Sequence, residues 1–376
     1  MKRFISICCA IILCFTSTAF ADTQNLPTTA KSVILMEQST KNVLYENNAD
    51  EQLSIASVTK IMTMLLIAEA LESGKITMQD MVPVSERAMS MGGSTMFLEA
   101  GEELSVYEML KGIAVASAND GCVAMAEFIS GSVETFVDEM NQKAQQLGMT
   151  NTNFVNTNGL DAEGHYSSAR DVALMSAELL KHEMIFEFTT IWTDKMHNGE
   201  FDLANTNKLI RFYPGANGLK TGSTSKALCC LSATAKRDDM QLIAVVLGSP
   251  TSNDRFQDAR TLLDYGFSSY AVDKLSKSGE KIADVKVKKG SHELVSVSAA
   301  EDYSMLLAKT DKGKSEKNVL LPEEIKAPGK KGDKVGKIEF MLNGEKVGEV
   351  DVVADNDVEK KSFGQFLSEI FKRLIG

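Results

Sequence analysis

Cysteine is scarce in this sequence after residue 21. Three of its six cysteines lie in the first 21 residues, which leaves Cys122, Cys229 and Cys230. Cys229 and Cys230 are neighbours, and on a strand their side chains would point to opposite faces. We therefore expect buried small hydrophobic residues at these positions and no disulfide framework.

Histidine is scarcer still, and its spacing does not suggest a metal site. No pair of histidines has a ligand spacing such as H-E-x-x-H. We therefore expect neither a metal nor another cofactor. The four histidines are His165, His182, His197 and His292.

Long hydrophobic runs are absent beyond the N-terminus, so no later segment is expected to span a bilayer. The N-terminal stretch "MKRFISICCAIILCFTSTAFAD" has two basic residues, an apolar run over residues 4–15 and a small-x-small end at residues 19–21. This pattern is typical of a secretory signal peptide. We predict that residues 1–21 are removed and that the protein is exported.

Positive charge is in deficit over most of the chain. Removal of residues 1–21 leaves 38 Lys and Arg against 51 Asp and Glu, a net charge of −13. This balance argues against a nucleic-acid partner.

Residues 274–346 depart from that balance, with 16 lysines, no arginine and 12 acidic residues. Short β-like runs such as "IADVKVKKG" and the hairpin signal "FMLNGEKVG" predict a small separate β domain over residues 273–356. We interpret the lysine excess as solvated surface, with a face toward a polyanion as the alternative.

Residues 22–272 predict an α+β domain. "SVILMEQSTKNVLYENN" indicates a hairpin, and apolar spacings of three and four predict amphipathic helices over about 104–129, 133–147 and 169–180. "GLKTG", "ALCCLSATAKRDDMQLIAVVLGS" and "NDRFQDARTLLDYGF" then indicate a strand, a strand–turn–strand unit and a closing helix. Strands at both ends with helices between them predict one antiparallel sheet covered by helices.

A serine and a lysine at helical spacing form the first candidate for chemistry. Ser57 and Lys60 stand three residues apart in "SIASVTKIMTMLL", and such side chains share one face of a helix. A serine needs an adjacent base to act as a nucleophile, and a lysine serves once burial or another cation lowers its pKa. The pattern alone is weak, because Ser223 and Lys226 repeat it.

Two more short motifs follow Ser57 in order. "SAN" occupies residues 117–119, and "KTG" occupies residues 220–222 at the end of a predicted strand. The set of Ser-x-x-Lys, Ser-x-Asn and Lys-Thr-Gly marks penicillin-binding proteins and class A β-lactamases. This order favours Ser57 over Ser223 as the nucleophile.

The chain resembles the D-alanyl-D-alanine carboxypeptidases, the low-molecular-mass penicillin-binding proteins, over nearly all of its mature length. The resemblance includes "SVILMEQSTKNVLYENNADEQLSIASVTKIMT", "SANDGCVAMAEFISG", "GHYSSARDVALMS" and "GLKTGSTSKA". It implies a penicillin-binding fold and a serine carboxypeptidase that removes the terminal D-alanine from peptidoglycan stem peptides ending in D-Ala-D-Ala. It also implies covalent inhibition by β-lactam antibiotics.

The resemblance assigns roles to the three motifs. Ser57 would form the acyl-enzyme, and Lys60 would take its proton while the Lys220 ammonium lowers the Lys60 pKa by repulsion. Ser117 would relay a proton to the leaving D-alanine amine, and Asn119 would hold the substrate amide.

The same resemblance places the substrate along the KTG strand. Lys220, Thr221 and Gly222 would pair with the substrate backbone, and Gly222 would allow close approach. The N–H groups of Ser57 and Ser223 would bind the oxyanion.

Thr224 and Arg255 would bind the terminal carboxylate of the substrate. Some relatives have an arginine where this chain has Thr206, so the resemblance supports no substrate contact at residue 206.

Two alternatives share these features. A class A β-lactamase needs a glutamate in an E-x-x-L-N motif between SAN and KTG, whereas "EFMLN" at 339–343 falls after KTG, in the expected β domain. The other alternative is an inactive wall-binding scaffold, against which the intact motif residues argue.

The segment 357–376 predicts an amphipathic helix. Its apolar residues recur at helical spacing and are flanked by lysine and arginine, the pattern of a helix in a membrane interface. A helix docked on its own protein is the alternative. With the family's habit of anchoring in this way, the pattern predicts a peripheral protein on the outer face of the cytoplasmic membrane. The apolar residues are Phe363, Phe366, Leu367, Ile370, Phe371, Leu374 and Ile375.

Overall fold

The computed structural model describes residues 25–364 apart from 197, 198 and 200. The expected signal peptide over residues 1–21 lies outside the described residues, as does the expected C-terminal helix from residue 365 onward. No helix within the described ranges has both the length and the hydropathy needed to cross a membrane.

A five-stranded antiparallel sheet forms the centre of the first domain, in the order β2-β1-β9-β8-β7. This confirms the predicted α+β sheet, with the N-terminal hairpin paired to the later strands through β1 and β9. The strands are β1 (Ser32–Glu37), β2 (Val43–Asn47), β7 (Ala216–Thr224), β8 (Leu228–Arg237) and β9 (Met240–Ser249).

Helices cover both faces of this sheet because its central strands are apolar on both sides. Along β1, Ile34 and Met36 join the core under most of the helices, whereas Val33 and Leu35 join the core under the last helix. Alternate residues of a strand point to opposite faces, so such a strand is buried on both. The helices are α1 (Lys60–Glu72), α2 (Glu86–Met89), α3 (Val106–Val115), α4 (Asn119–Ser130), α5 (Val133–Gln146), α6 (Ala169–Leu179), α7 (Phe186–Thr189), α8 (Leu209–Phe212) and α9 (Ser252–Ser269).

The helical pattern over residues 104–129 is interrupted twice in the structure. Residues 103–105 form a short strand, and α3 and α4 are separated at residues 116–118. Ser117 has a φ of 65° in this break, a left-handed conformation that ends a helix. Two short antiparallel strand pairs complete this domain, β3 (Met81–Pro83) with β4 (Glu103–Ser105) and β5 (Thr193–Met196) with β6 (Phe201–Ala204).

A second sheet of six strands confirms the predicted small β domain, in the order β14-β16-β17-β12-β11-β15. The hairpin at Asn343 and Gly344 has φ values of 52° and 83°, as a tight two-residue turn requires. The strands are β10 (Tyr270–Ser276), β11 (Lys281–Lys288), β12 (Leu294–Ala299), β13 (Tyr303–Ala308), β14 (Glu316–Leu320), β15 (Glu324–Lys326), β16 (Lys334–Leu342) and β17 (Glu345–Ala354), of which β10 and β13 form a separate pair.

Several lysines of this domain form ion pairs with its own acidic residues. Lys337 and Lys346 both contact Glu339 and Glu349, and Lys288 contacts Glu324. Exposed pairs of this kind contribute little to stability.

Residues 358–361 still belong to the β domain by their contacts. Val358 is buried in its core and bridges to Gly329, and Lys360 bridges to Gly290.

Candidate active site

Ser57 and Lys60 meet at the start of α1. Residues Ala56–Thr59 form a 3-10 turn, and α1 begins at Lys60. The Lys60 Nζ donates to Ser57 Oγ at 2.9 Å, to Asn119 Oδ1 at 2.7 Å and to the Asn158 carbonyl at 2.8 Å. Three acceptors therefore fix the nitrogen of Lys60 beside the hydroxyl of Ser57.

Burial makes Lys60 able to act as a base. Its side chain is fully buried, and this burial lowers the pKa of the Lys60 ammonium to about 8. Asp120 partly opposes the change. Cys122 lies close by, but burial raises the pKa of its thiol to about 11, so the thiol is uncharged near neutral pH.

Lys220 is also fully buried, on β7. Burial lowers the pKa of Lys220 well below its ordinary value, and the Lys60 ammonium lowers it further by repulsion. The family resemblance implies that the Lys220 ammonium lowers the pKa of Lys60 by repulsion. The structure instead gives burial as the main cause at Lys60, and the repulsion adds to the effect of burial at Lys220.

The SAN motif forms the break before α4. Ser117 is buried in this break with its left-handed φ, and Asn119 is the first residue of α4. The turn thus brings Asn119 into contact with Lys60. Ser117 precedes Asn119 by two residues in the sequence.

Two glycines allow neighbouring segments to approach the backbone of Ser57. A Cβ at Gly222 would lie 2.6 Å from the Ile55 carbonyl oxygen and 3.0 Å from the Ser57 nitrogen. A Cβ at Gly159 would lie 1.9 Å from the Ala56 carbonyl oxygen. At Gly222 the close approach is therefore made to the turn that carries Ser57, and it brings β7 alongside that turn.

The side chains expected to bind the terminal carboxylate of the substrate already have hydrogen-bond partners. Thr224 Oγ1 donates to Asp161 Oδ1 at 2.9 Å, and Arg255 is buried and donates to the Gly222 carbonyl at 3.1 Å. Burial lowers the pKa of Arg255. Arg255 therefore supports β7 directly, whereas Ser223 is exposed on that strand.

Thr206 and Thr221 also meet beside this strand, with 2.6 Å between their hydroxyl oxygens. Ser223 and Lys226 are both exposed, unlike Ser57 and Lys60.

Several residues of the site lie outside the three sequence motifs. Asn158 contributes a backbone carbonyl to Lys60, and Asp161 joins Thr224 to Ser54, whose hydroxyl donates to it at 3.2 Å. Next to the turn of Ser57, His165 accepts from the Val155 nitrogen through Nδ1, so its Nε2 donates to the Thr59 hydroxyl at 2.8 Å. Burial lowers the pKa of His165 to about 4, which keeps it neutral.

Among the described residues, no group of three or more His, Cys, Asp or Glu side chains is arranged to hold a metal ion. The described cysteines are free thiols, buried at Cys122 and Cys230 and half-buried at Cys229. Glu339, the glutamate of "EFMLN", lies on β16 of the other domain, in ion pairs with Lys337 and Lys346.

Family comparisons agree with this geometry. Residues 18–251 match the D-alanyl-D-alanine carboxypeptidase family, and residues 270–360 match the C-terminal domain of penicillin-binding protein 5. The chain is 47% identical to the D-alanyl-D-alanine carboxypeptidase DacF of Bacillus subtilis over 387 residues, covering 100% of this chain and 98% of that protein. It is 34% identical to DacA of Escherichia coli over 388 residues, covering 98% and 96%.

Solved structures show the same fold. Penicillin-binding protein 5 of Haemophilus influenzae has a TM-score of 0.77 at 32% identity, covering 90% of this chain and 100% of that one. Penicillin-binding protein D2 of Listeria monocytogenes, solved in an ampicillin-bound form, has a TM-score of 0.60 at 30% identity, covering 65% and 100%. The chain belongs to the D-alanyl-D-alanine carboxypeptidase family of penicillin-binding serine peptidases.

Proposed function

We propose that Ser57 is the nucleophile through which this serine-type D-Ala-D-Ala carboxypeptidase removes the terminal D-alanine of peptidoglycan stem peptides. The observation that carries the proposal is the 2.9 Å hydrogen bond between Ser57 Oγ and a buried Lys60 whose pKa is lowered to about 8. A neutral amine at this distance can accept the serine proton as the hydroxyl oxygen attacks.

The reaction proceeds in two steps. Ser57 Oγ bonds to the carbonyl carbon of the penultimate D-alanine, its proton passes to Lys60, and the carbon–nitrogen bond breaks. The departing D-alanine nitrogen takes a proton through Ser117. Water then attacks the Ser57 ester, releases the shortened peptide and restores the serine hydroxyl.

Substrate positioning is assigned to β7 and Asn119. The edge of β7 at Lys220, Thr221 and Gly222 offers backbone groups to an extended peptide, since β7 is the outer strand of its sheet. The N–H groups of Ser57 and Ser223 lie on adjacent segments and would bind the oxyanion. Asn119 would hold the substrate amide from the opposite side.

Recognition of the terminal carboxylate requires a change of partners at the end of β7. The Thr224 hydroxyl would turn from Asp161 toward the substrate carboxylate, because a carboxylate and Asp161 would repel each other at that position. Arg255 supplies positive charge behind Gly222.

β-Lactam antibiotics would acylate the same serine. The Listeria relative was solved with ampicillin bound, and this chain has the serine, lysines and asparagine of the motif set within one buried cluster.

We also propose that the protein is exported and held on the outer face of the cytoplasmic membrane. The pattern of residues 1–21 supports export, and the apolar stripe from Phe363 to Ile375 supports attachment to the outer face of the cytoplasmic membrane. Phe363, the first residue of that stripe, is 78% exposed, which is consistent with this attachment.

The test is release of D-alanine from a soluble peptide ending in D-Ala-D-Ala. Wild-type protein should release it, Ser57→Ala should not, and Ser223→Ala should retain most of the activity because its backbone N–H is unchanged. Release by Ser57→Ala at the wild-type rate would refute Ser57 as the nucleophile.

A further inference from the structure

The loop formed by residues 92–98 packs directly on Asn119. The Asn119 nitrogen donates to the Ser94 carbonyl at 2.8 Å, and its Nδ2 donates to the Gly92 carbonyl at 2.7 Å. The amide nitrogen thus faces the loop, and the amide oxygen faces Lys60 at 2.7 Å. This loop therefore determines which end of the Asn119 amide contacts the base.

Asp120, the next residue along α4, holds that loop in place. Its carboxylate is 1% exposed and accepts hydrogen bonds from the Met96 nitrogen at 3.0 Å and the Leu98 nitrogen at 3.2 Å. It also accepts from the nitrogen of Gly121 at 2.9 Å. One buried carboxylate therefore binds the backbone N–H groups of the two residues that flank Phe97.

The conformation of Phe97 shows that the loop is under constraint. Phe97 has a φ of 59°, which is unusual for a bulky residue, and it is 69% exposed. Its only described ring partner is Phe201, with ring centroids 5.3 Å apart. Since so exposed a side chain gains little from packing, the two bonds to Asp120 account for this backbone conformation.

The Asp120 carboxylate also interacts with the Lys60 ammonium through its charge. The charged or titratable groups around Lys60 are Lys220 from β7 and Asp120 and Cys122 from α4. Of these three, Asp120 is the source of negative charge. The Cys122 thiol is neutral near neutral pH, and a lysine side chain is never negatively charged.

We propose that Asp120 is a positioning residue for acylation. It closes the loop of residues 92–98 on Asn119, which keeps the Asn119 amide oxygen on Lys60. The inference rests on the proposed function, since it gives Asp120 a role only if Lys60 acts on Ser57.

The first test replaces Asp120 by asparagine in the full-length protein. An asparagine side chain offers one acceptor oxygen in place of two, so the loop should loosen and the Asn119 amide should lose its orientation. The rate of benzylpenicillin acylation should fall roughly 10- to 100-fold. The pH at which the rate reaches half its maximum should shift to lower values, because loss of the negative charge favours neutral Lys60.

Asp171→Asn is the matched control for Asp120→Asn. Asp171 is also 1% exposed at the start of a helix, and it also holds a preceding loop, through the Asn151 nitrogen at 2.8 Å and the Thr152 hydroxyl at 2.7 Å. Its variant should lose stability but keep the acylation rate and the pH midpoint.

A second pair of variants tests the loop without altering Asp120. A Cβ at Gly93 would lie 2.9 Å from Asn119 Nδ2, whereas a Cβ at Gly101 would meet nothing within 4 Å. The two glycines have nearly equal φ values, 83° and 84°, so alanine at either causes similar backbone strain. Only Gly93→Ala should slow acylation.

The outcomes separate this inference from the proposed function. Unchanged rate and pH midpoint in folded Asp120→Asn would overturn the inference, as would equal acylation by Gly93→Ala and Gly101→Ala, even where Asp120→Asn does not fold. Failure of benzylpenicillin to label Ser57 in wild-type protein would instead overturn the proposed function.

Discussion

Gly222 on β7 lies so close to the turn of Ser57 that a Cβ at residue 222 would stand 3.0 Å from the Ser57 backbone nitrogen. The strand proposed to bind substrate and the turn that carries the proposed nucleophile therefore share one closely packed boundary. The proposed mechanism depends on both segments, because the two proposed oxyanion donors lie on either side of this boundary.

Gly222→Ala should separate these segments and reduce acylation while the protein remains folded. A displacement near 1 Å at such a site costs roughly 100-fold in rate. The measurement is the second-order rate constant for benzylpenicillin acylation, alongside a circular dichroism spectrum. Gly329→Ala is the control, because a Cβ there would have only ordinary contacts, at 3.5 and 3.8 Å. Equal rates for both variants would count against the shared boundary.

The pH dependence of acylation should report the ionisation of Lys60. With a pKa of about 8, Lys60 is neutral in roughly a tenth of molecules at pH 7 and in about nine tenths at pH 9. The rate should therefore rise about tenfold over this interval and then level off. Stopped-flow acylation between pH 6 and 10 measures it.

Lys60→Arg should lose at least roughly 100-fold of the acylation rate, because an arginine stays protonated and cannot accept the serine proton. Lys111→Arg is the control, since Lys111 is also largely buried but pairs with Asp194 at 3.1 Å, away from Ser57. An active Lys60→Arg, or a wild-type rate independent of pH, would exclude Lys60 as the base.

His165 should make the first domain less stable in acid. Its pKa of about 4 lies below the ordinary value of 6.5, so its contribution to folding is complete above pH 6.5 and is lost as the pH falls toward 4. At about 1.4 kcal/mol per pKa unit, the loss is about 3 kcal/mol. His165→Gln should lower stability at pH 7 and remove this part of the decline.

Urea unfolding at pH 7 and pH 4.5 tests this expectation on wild type and variant. His292→Gln is the control, because His292 is exposed. An equally steep decline in wild type and His165→Gln would show that the histidine does not titrate in this way.

Removal of the C-terminal segment should release the enzyme from membranes without loss of activity. The deletion must begin at residue 362, because Val358 is part of the core of the β domain and Lys361 donates to the Lys289 carbonyl at 3.0 Å. The proposed catalytic residues all precede residue 256.

Fractionation with D-alanine assays on each fraction measures this. The full-length protein should sediment with membranes and the shortened form should not, with equal specific activity in detergent. A shortened form that stays in the membrane pellet would refute the anchor, and an inactive soluble form would refute its independence from the chemistry.

The fold and the motif residues could be predicted because their signals are local. The β1–β2 hairpin, the strand–turn–strand unit and α9 each follow from the spacing of apolar residues within a short window. The Ser57–Lys60 contact follows from helical spacing, and the order of the three motifs separated this pair from the exposed Ser223 and Lys226.

The rest of the site could not be predicted because it depends on contacts between distant segments. Asn158 acts through its backbone carbonyl, which has no side-chain signature. Gly159 is needed only because Ala56 lies against it. Asp120 follows a motif residue directly, yet its bonds to Met96 and Leu98 appear only once the chain is folded.

The most direct test of the account is to locate the covalent adduct formed by benzylpenicillin. Intact-protein mass spectrometry should show one added penicilloyl group on wild-type protein, and peptide mapping should place it on Ser57. Ser57→Ala should show none, and Ser223→Ala should be labelled like wild type. An adduct on Ser223, or on any residue other than Ser57, would contradict the account.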